Sequence, residues 1–84
     1  PGNAGFRHNL GVALRDAGDL ASAEAEHREA VRLDPGEAMF HFGLGDVLKA
    51  RGDARGAEAA YREAVRLEPG DHKVWHNLAI LLAD

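Results

Sequence analysis

Residues Ala23 to Gly36 read AEAEHREAVRLDPG, and residues Ala57 to Gly70 read AEAAYREAVRLEPG, the same stretch 34 positions later. The Pro-Gly pair that closes each copy also stands at Pro1-Gly2, so this punctuation recurs at positions 1, 35 and 69. A fixed period of this size is the mark of a repeat array, in which each unit buries its apolar side against its neighbours. Working outward from the quoted stretch, Ala4 to Glu37 laid over Ala38 to Asp71 gives 18 identities in 34 positions, concentrated at apolar, small and turn residues. A third copy begins at His72, with Leu78, Ala79 and Leu82 beneath Leu10, Gly11 and Leu14. The chain is therefore expected to be a single array over 1–84: one unit at 4–37, a second at 38–71 and a partial third at 72–84.

Each unit reads as two helices. Phe6, Leu10, Gly11 and Leu14 recur at three- and four-residue spacings, which places them on one helical face, and Phe40, Leu44, Gly45 and Leu48 do the same in the second unit. Gly18 and Gly52 are placed to end these helices in the left-handed conformation, and Asp19 and Asp53 to cap the next ones. The returning helices are expected to turn Ala23, His27, Ala30 and Val31, then Ala57, Tyr61, Ala64 and Val65, inward. Pro35-Gly36 and Pro69-Gly70 stop them. A fifth helix carries Trp75, Leu78, Ala79 and Leu82. Small residues at Gly11, Ala23 and Ala30, and at Gly45, Ala57 and Ala64, let antiparallel helices approach closely while the larger residues fill the space beside them.

Composition narrows the function classes. The chain has 84 residues, no cysteine and 45% hydrophobic residues, so its core is thin and stacking has to supply its stability. Its 10 basic and 14 acidic residues are interleaved and give a formal charge of -4, without the basic stripe of a nucleic-acid binder. No apolar run approaches the roughly 20 residues of a membrane span, and no signal segment is visible. A cytoplasmic location is the working expectation. Because the chain opens on the Pro-Gly that closes a unit, the parent protein is expected to extend upstream.

The residues Leu10-Gly11, Leu14, Ala23, His27 and Pro35, then Leu44-Gly45, Leu48, Ala57, Tyr61 and Pro69, resemble the tetratricopeptide pattern W-x2-L-G-x2-Y, A-x3-F, P over a 34-residue unit. Trp75, Leu78, Ala79 and Leu82 begin a third match. The pattern's opening tryptophan is replaced by Arg7 and His41, and Phe6 and Phe40, one residue earlier, are expected to take over its packing. The resemblance implies an all-α, right-handed helical solenoid of antiparallel helix pairs, two full repeats plus the first helix of a third, five helices in all. It further implies a non-catalytic module that binds a protein or peptide in a concave groove lined by the first helix of each repeat.

Residues two positions off the core stripe point about 200° away from it. That face reads His8, Asn9, Val12 and Arg15 on the first helix, Met39, Phe42, Asp46 and Lys49 on the third, and Lys73, His76, Asn77 and Ile80 on the fifth. Val12, Met39, Phe42 and Ile80 form an apolar strip, Phe42 serving as anchor, with Asp46 and Lys73 selecting charge. Asn9 and Asn77 are equivalent residues. In tetratricopeptide proteins resembling the superhelix of the O-GlcNAc transferases, a ladder of such asparagines holds the backbone of an extended peptide, although Gly43 stands at the middle rung here. Of the lysine, arginine and asparagine clamp with which chaperone-binding members hold a terminal carboxylate, only Lys73 has a good counterpart, so no such clamp is expected.

The other chemistry is thin. His72 and His76 share a helical face beside Asp71, but zinc wants three or four ligands and none is expected. The only hydroxyl side chains are Ser22 and Tyr61, and no nucleophile stands with a base, so neither an enzyme nor a cofactor is expected. The pairs Glu24/Arg28, Glu58/Arg62, Glu29/Arg32 and Glu63/Arg66 read as a solvated convex face. A second function class comes from the last helix, whose Trp75, Leu78, Leu81 and Leu82 would lack a packing partner. Through them copies could stack head-to-tail as a homo-oligomeric scaffold.

Overall fold

The computed structural model describes residues 3–83, and the first Pro-Gly pair lies outside them. Five helices follow one another: α1 (Asn3–Asp16), α2 (Leu20–Leu33), α3 (Ala38–Ala50), α4 (Ala54–Leu67) and α5 (His72–Ala83). There is no strand among the described residues. Each helix packs on its neighbours in sequence, and α1 also touches α3, so that α1 and α3 lie side by side with α2 and α4 behind them.

The turns work as the residue types require. Gly18 and Gly52 have φ of 90° and 86°. In that conformation the Asp19 N–H reaches the Leu14 carbonyl and the Asp53 N–H reaches the Leu48 carbonyl, both at 2.9 Å, which closes α1 and α3. The same two aspartates start the next helices. The Asp19 carboxylate accepts from the Ser22 N–H at 3.2 Å and that of Asp53 from the Gly56 N–H at 2.9 Å. One residue therefore serves as the end of one helix and the cap of another, which keeps each pair antiparallel with a short turn.

The core runs through Ala23, Leu44, Val47, Leu48, Ala57, Tyr61, Ala64, Val74 and Leu78, with a smaller cluster of Ala4, Ala30 and Phe40. Several positions depart from the expected stripes. Phe6 is 64% exposed, whereas Phe40 and Val74, its counterparts one and two units on, are buried. This position packs against the helix of the preceding unit, and none precedes α1 among the described residues. Trp75 and Leu82 are likewise 47% and 51% exposed, and Ala79 is exposed, while Val74 and Leu78 hold α5 to the core. The missing tryptophan is replaced by His41 itself, not by Phe40. His41 Nε2 lies 2.8 Å from the Pro35 carbonyl, and Trp75 Nε1 donates to the Pro69 carbonyl at the same distance, so both rings pin the loop before their helix.

Gly43 and Gly5 give opposite expectations for alanine. A Cβ on Gly43 would come within 2.7 Å of His8 Cε1 and 2.8 Å of His27 Cε1, two rings with no free space, whereas a Cβ on Gly5 would meet nothing within 4 Å. Helix propensity favours alanine at either position by up to about 1 kcal/mol. Overpacking reverses the sign at Gly43, where a net loss of about 1–2 kcal/mol is expected, while Gly5→Ala should stabilise slightly. Urea midpoints of the two variants check this.

Candidate functional site

A concave pocket of about 440 Å³ opens on the side of α1, α3 and the α4–α5 junction. α1 contributes His8, Val12 and Arg15, and Lys73 enters from the first turn of α5. Glu37, Ala38, Met39, Phe42, Gly43 and Asp46 come from the start and inner face of α3, and Glu68 and Asp71 from the junction before α5. The helical period explains the grouping, since positions 8, 12 and 15 and positions 39, 42, 43 and 46 each fall on one face.

Of the residues expected on the concave face, the structure brings His8, Val12, Met39, Phe42, Asp46 and Lys73 together in this pocket. Asn9, Lys49, His76, Asn77 and Ile80 do not line it. His8 does not stand free as expected. It is only 8% exposed and packs edge-on against His27, ring centroids 5.2 Å apart, and against Phe40 at 5.5 Å. The carboxylates of Glu37, Glu68 and Asp71 were missed, because they belong to the loops and helix starts rather than to a helical stripe. Their signal was the equivalence of Glu37 and Asp71, one period apart.

Asp46 and Asn77, read as ligand contacts, are engaged with the protein instead. Asp46 Oδ1 accepts from the Tyr61 hydroxyl at 2.5 Å and from Asn77 Nδ2 at 3.3 Å, and Oδ2 accepts from the Arg15 guanidinium at 3.3 Å. One carboxylate thereby joins α1, α3, α4 and α5. Burial, and then the Asp46 carboxylate, hold the Tyr61 hydroxyl well above the usual phenol range.

The first unit contains the same site with different chemistry. One period back from Gly45, Asp46, Tyr61 and Asn77 stand Gly11, Val12, His27 and Gly43. The second version is hydrogen-bonded and the first is not. His27 is fully buried between Gly11 and Gly43, and both its ring nitrogens, with Nδ1 of His8, are enclosed without a hydrogen-bond partner. Burial pushes His27 down to about 4, with His8 and Arg15 contributing, and His8 is also lowered, first by burial and then by Arg15. Both rings are therefore neutral near pH 7.

The opposite side carries paired charge. Arg28 donates to Glu24 at 2.8 Å and Arg62 to Glu58 at 2.9 Å, Arg32 pairs with Glu29 at 2.5 Å, and Arg66 pairs with Glu63. At exposed sites each pair adds a few tenths of a kcal/mol. Among the described residues no group of three histidine, cysteine or acidic side chains is arranged to hold a metal ion, and no helix is long and apolar enough to cross a membrane.

At the last helix, Trp75, Ile80 and Leu82 are exposed and Leu81 is half-buried, but Leu78 is buried in the core. Leu78 therefore does not belong to a self-association surface. Trp75 and Leu82, seven residues apart, share one face of α5, while Ile80 lies on another.

The tetratricopeptide repeat family model matches residues 8–72 and again 42–84. No curated protein matches the chain. Among solved structures, a variant of the O-GlcNAc transferase of Thermobaculum terrenum superposes with a TM-score of 0.92 at 35% identity, covering 95% of this chain and 15% of that one. The chain thus spans a small part of that enzyme's length, and the likeness is to repeats rather than to a whole transferase. With its period, capped helix pairs and family match together, the chain belongs to the tetratricopeptide repeat family.

Proposed function

We propose that this chain, laid out as repeats at 4–37, 38–71 and 72–84, is a non-catalytic interaction module that holds a segment of a partner protein in the pocket on α1, α3 and α5. Tetratricopeptide repeats generally mediate protein–protein interaction, and the observation that supports the site is the pocket itself. It joins an apolar floor of Val12, Met39 and Phe42 to charged walls, on the face opposite the paired arginines and glutamates. Met39 is 54% exposed at its edge, a flexible apolar side chain that can adapt to a partner. Asn9, Lys49, His76 and Ile80 flank it on the same helices and would extend contact along a longer segment.

The test is a random-peptide selection on the chain beside a Val12→Ser, Met39→Ser variant whose helicity is checked by circular dichroism. Both substitutions leave the Asp46 network and the His8–His27 pair intact. Peptides that enrich on the parent and are lost on the folded variant are the expected result. Equal enrichment on both, or none on the parent, overturns the reading.

The exposed Trp75 and Leu82, with half-buried Leu81 beside them, favour a second reading, head-to-tail stacking of copies through α5. Under it the molar mass rises with concentration and falls back in Leu82→Lys. A constant monomer mass excludes it.

A further inference from the structure

We infer that the pocket selects a partner segment bearing a cationic side chain, arginine or lysine, held among Glu37, Glu68 and Asp71 with the His8 ring at its floor. The inference rests on the peptide-binding reading and names the chemistry of the peptide.

The charges that line the pocket are unequal. Arg15 and Asp46 neutralise each other at 3.3 Å, which leaves Lys73 against Glu37, Glu68 and Asp71. None of these three carboxylates has an ion-pair partner within 4.0 Å among the described residues, although Asp71 Oδ1 accepts from the Lys73 backbone N–H at 3.0 Å and keeps only its other oxygen open. This contrasts with Glu24, Glu26, Glu29, Glu58 and Glu63, all of which are paired with arginine. Apart from Arg15, held by Asp46, the arginines paired with glutamate lie away from the pocket, whose mouth is left acidic.

His8 supplies an independent observation. Its ring is more than nine-tenths buried, forms part of the pocket wall and carries an enclosed, unpartnered Nδ1. Nδ1 is sealed inside the fold like both nitrogens of His27, so a ligand in the pocket meets only the Nε2 edge of the ring. Its Nε2 is absent from the enclosed set that holds the other three nitrogens of the pair, and in a neutral imidazole that atom can accept a hydrogen bond. Because burial keeps His8 neutral near pH 7, the ring does not repel a cation. A guanidinium or ammonium group brings N–H donors for both the carboxylates and the imidazole, and Phe42 adds an aromatic surface for a cation or its methylene stem. A bare metal ion is a poorer fit, since no three such ligands converge among the described residues.

The experiment sequences the peptides enriched on the parent and measures their affinity for two variants, Glu37→Lys with Glu68→Lys, and His8→Phe. The first pair is exposed, and the second copies Phe42, which fills the equivalent place one repeat on. Arginine or lysine should be enriched at one position, binding should weaken with salt, and the double charge reversal should lower affinity about tenfold. His8→Phe, folded by circular dichroism, should weaken binding several-fold. Enriched peptides that are neutral or acidic, or that bind the charge-reversed chain equally well, overturn the inference while the peptide-binding reading stands. Failure of any peptide to enrich removes both.

Discussion

Replacing Tyr61 with alanine is expected to remove about 3–5 kcal/mol of stability, the largest loss of any single substitution considered. The side chain is fully buried, lies against Gly45 so closely that a Cβ there would be 2.6 Å from the ring, and stacks on Phe42 with centroids 5.9 Å apart. Truncating such an aromatic typically costs about 3–5 kcal/mol, from lost burial and the cavity left behind. A chain of 84 residues has a total stability on the order of 4–13 kcal/mol. The hydroxyl can be separated from the ring. Tyr61→Phe removes one donor, but Asp46 keeps Arg15 and Asn77, so a loss of about 1 kcal/mol is expected. Urea unfolding followed by circular dichroism distinguishes the two variants. A Tyr61→Ala chain as stable as the parent would falsify the packing described for the α3–α4 pair.

The second large effect is an acid dependence set by His27. Burial holds its folded pKa down to about 4, against 6.5 for a free imidazole. Between those values the unfolded chain binds a proton that the folded chain refuses, so stability rises with pH there. The contribution is complete above about pH 6.5 and is lost as pH falls through about 4. The interval corresponds to about 3 kcal/mol, and His8, lowered for the same reason, adds in the same direction. The charged groups facing the pair are Arg15, which opposes protonation, and Asp46, which favours it at His8. The lowered carboxylates Glu24, Glu29 and Glu63 act in a different window, below their ordinary 4.5, so the two effects separate along the pH axis. His27→Phe keeps a ring between Gly11 and Gly43 and should abolish most of the slope between pH 6.5 and 4. If the parent's unfolding midpoint were flat across that interval, the buried neutral imidazole would be wrong.

These two residues also show where reading the sequence stops. Tyr61 and His27 occupy the same place in the repeat, and the 34-residue period put both on the inward face of their helices. Nothing in that period says that Tyr61 will find a carboxylate and His27 will find none. The partners lie on other helices: Asp46 is 15 positions from Tyr61, and Asn77 and Arg15 are each 31 positions from Asp46. Reading Asp46 and Asn77 as free ligand contacts followed correctly from their helical face, but helices that approach across that face let their side chains meet each other first.

What the sequence by itself determined is everything decided within one turn of helix or one turn of loop. The five helices, the Gly18 and Gly52 stops, the Asp19 and Asp53 caps and the glutamate–arginine pairs of α2 and α4 all involve residues five or fewer apart, so local pattern was sufficient. The tertiary structure alone decided which copies of a repeated residue are buried. Phe6 faces solvent and Phe40 does not, because burial depends on whether a preceding helix is there to cover the ring. It also decided that the acidic residues of two loops stand at the mouth of one pocket with His8, because only the stacking of one helix pair on the next brings residues 8, 37 and 68 together.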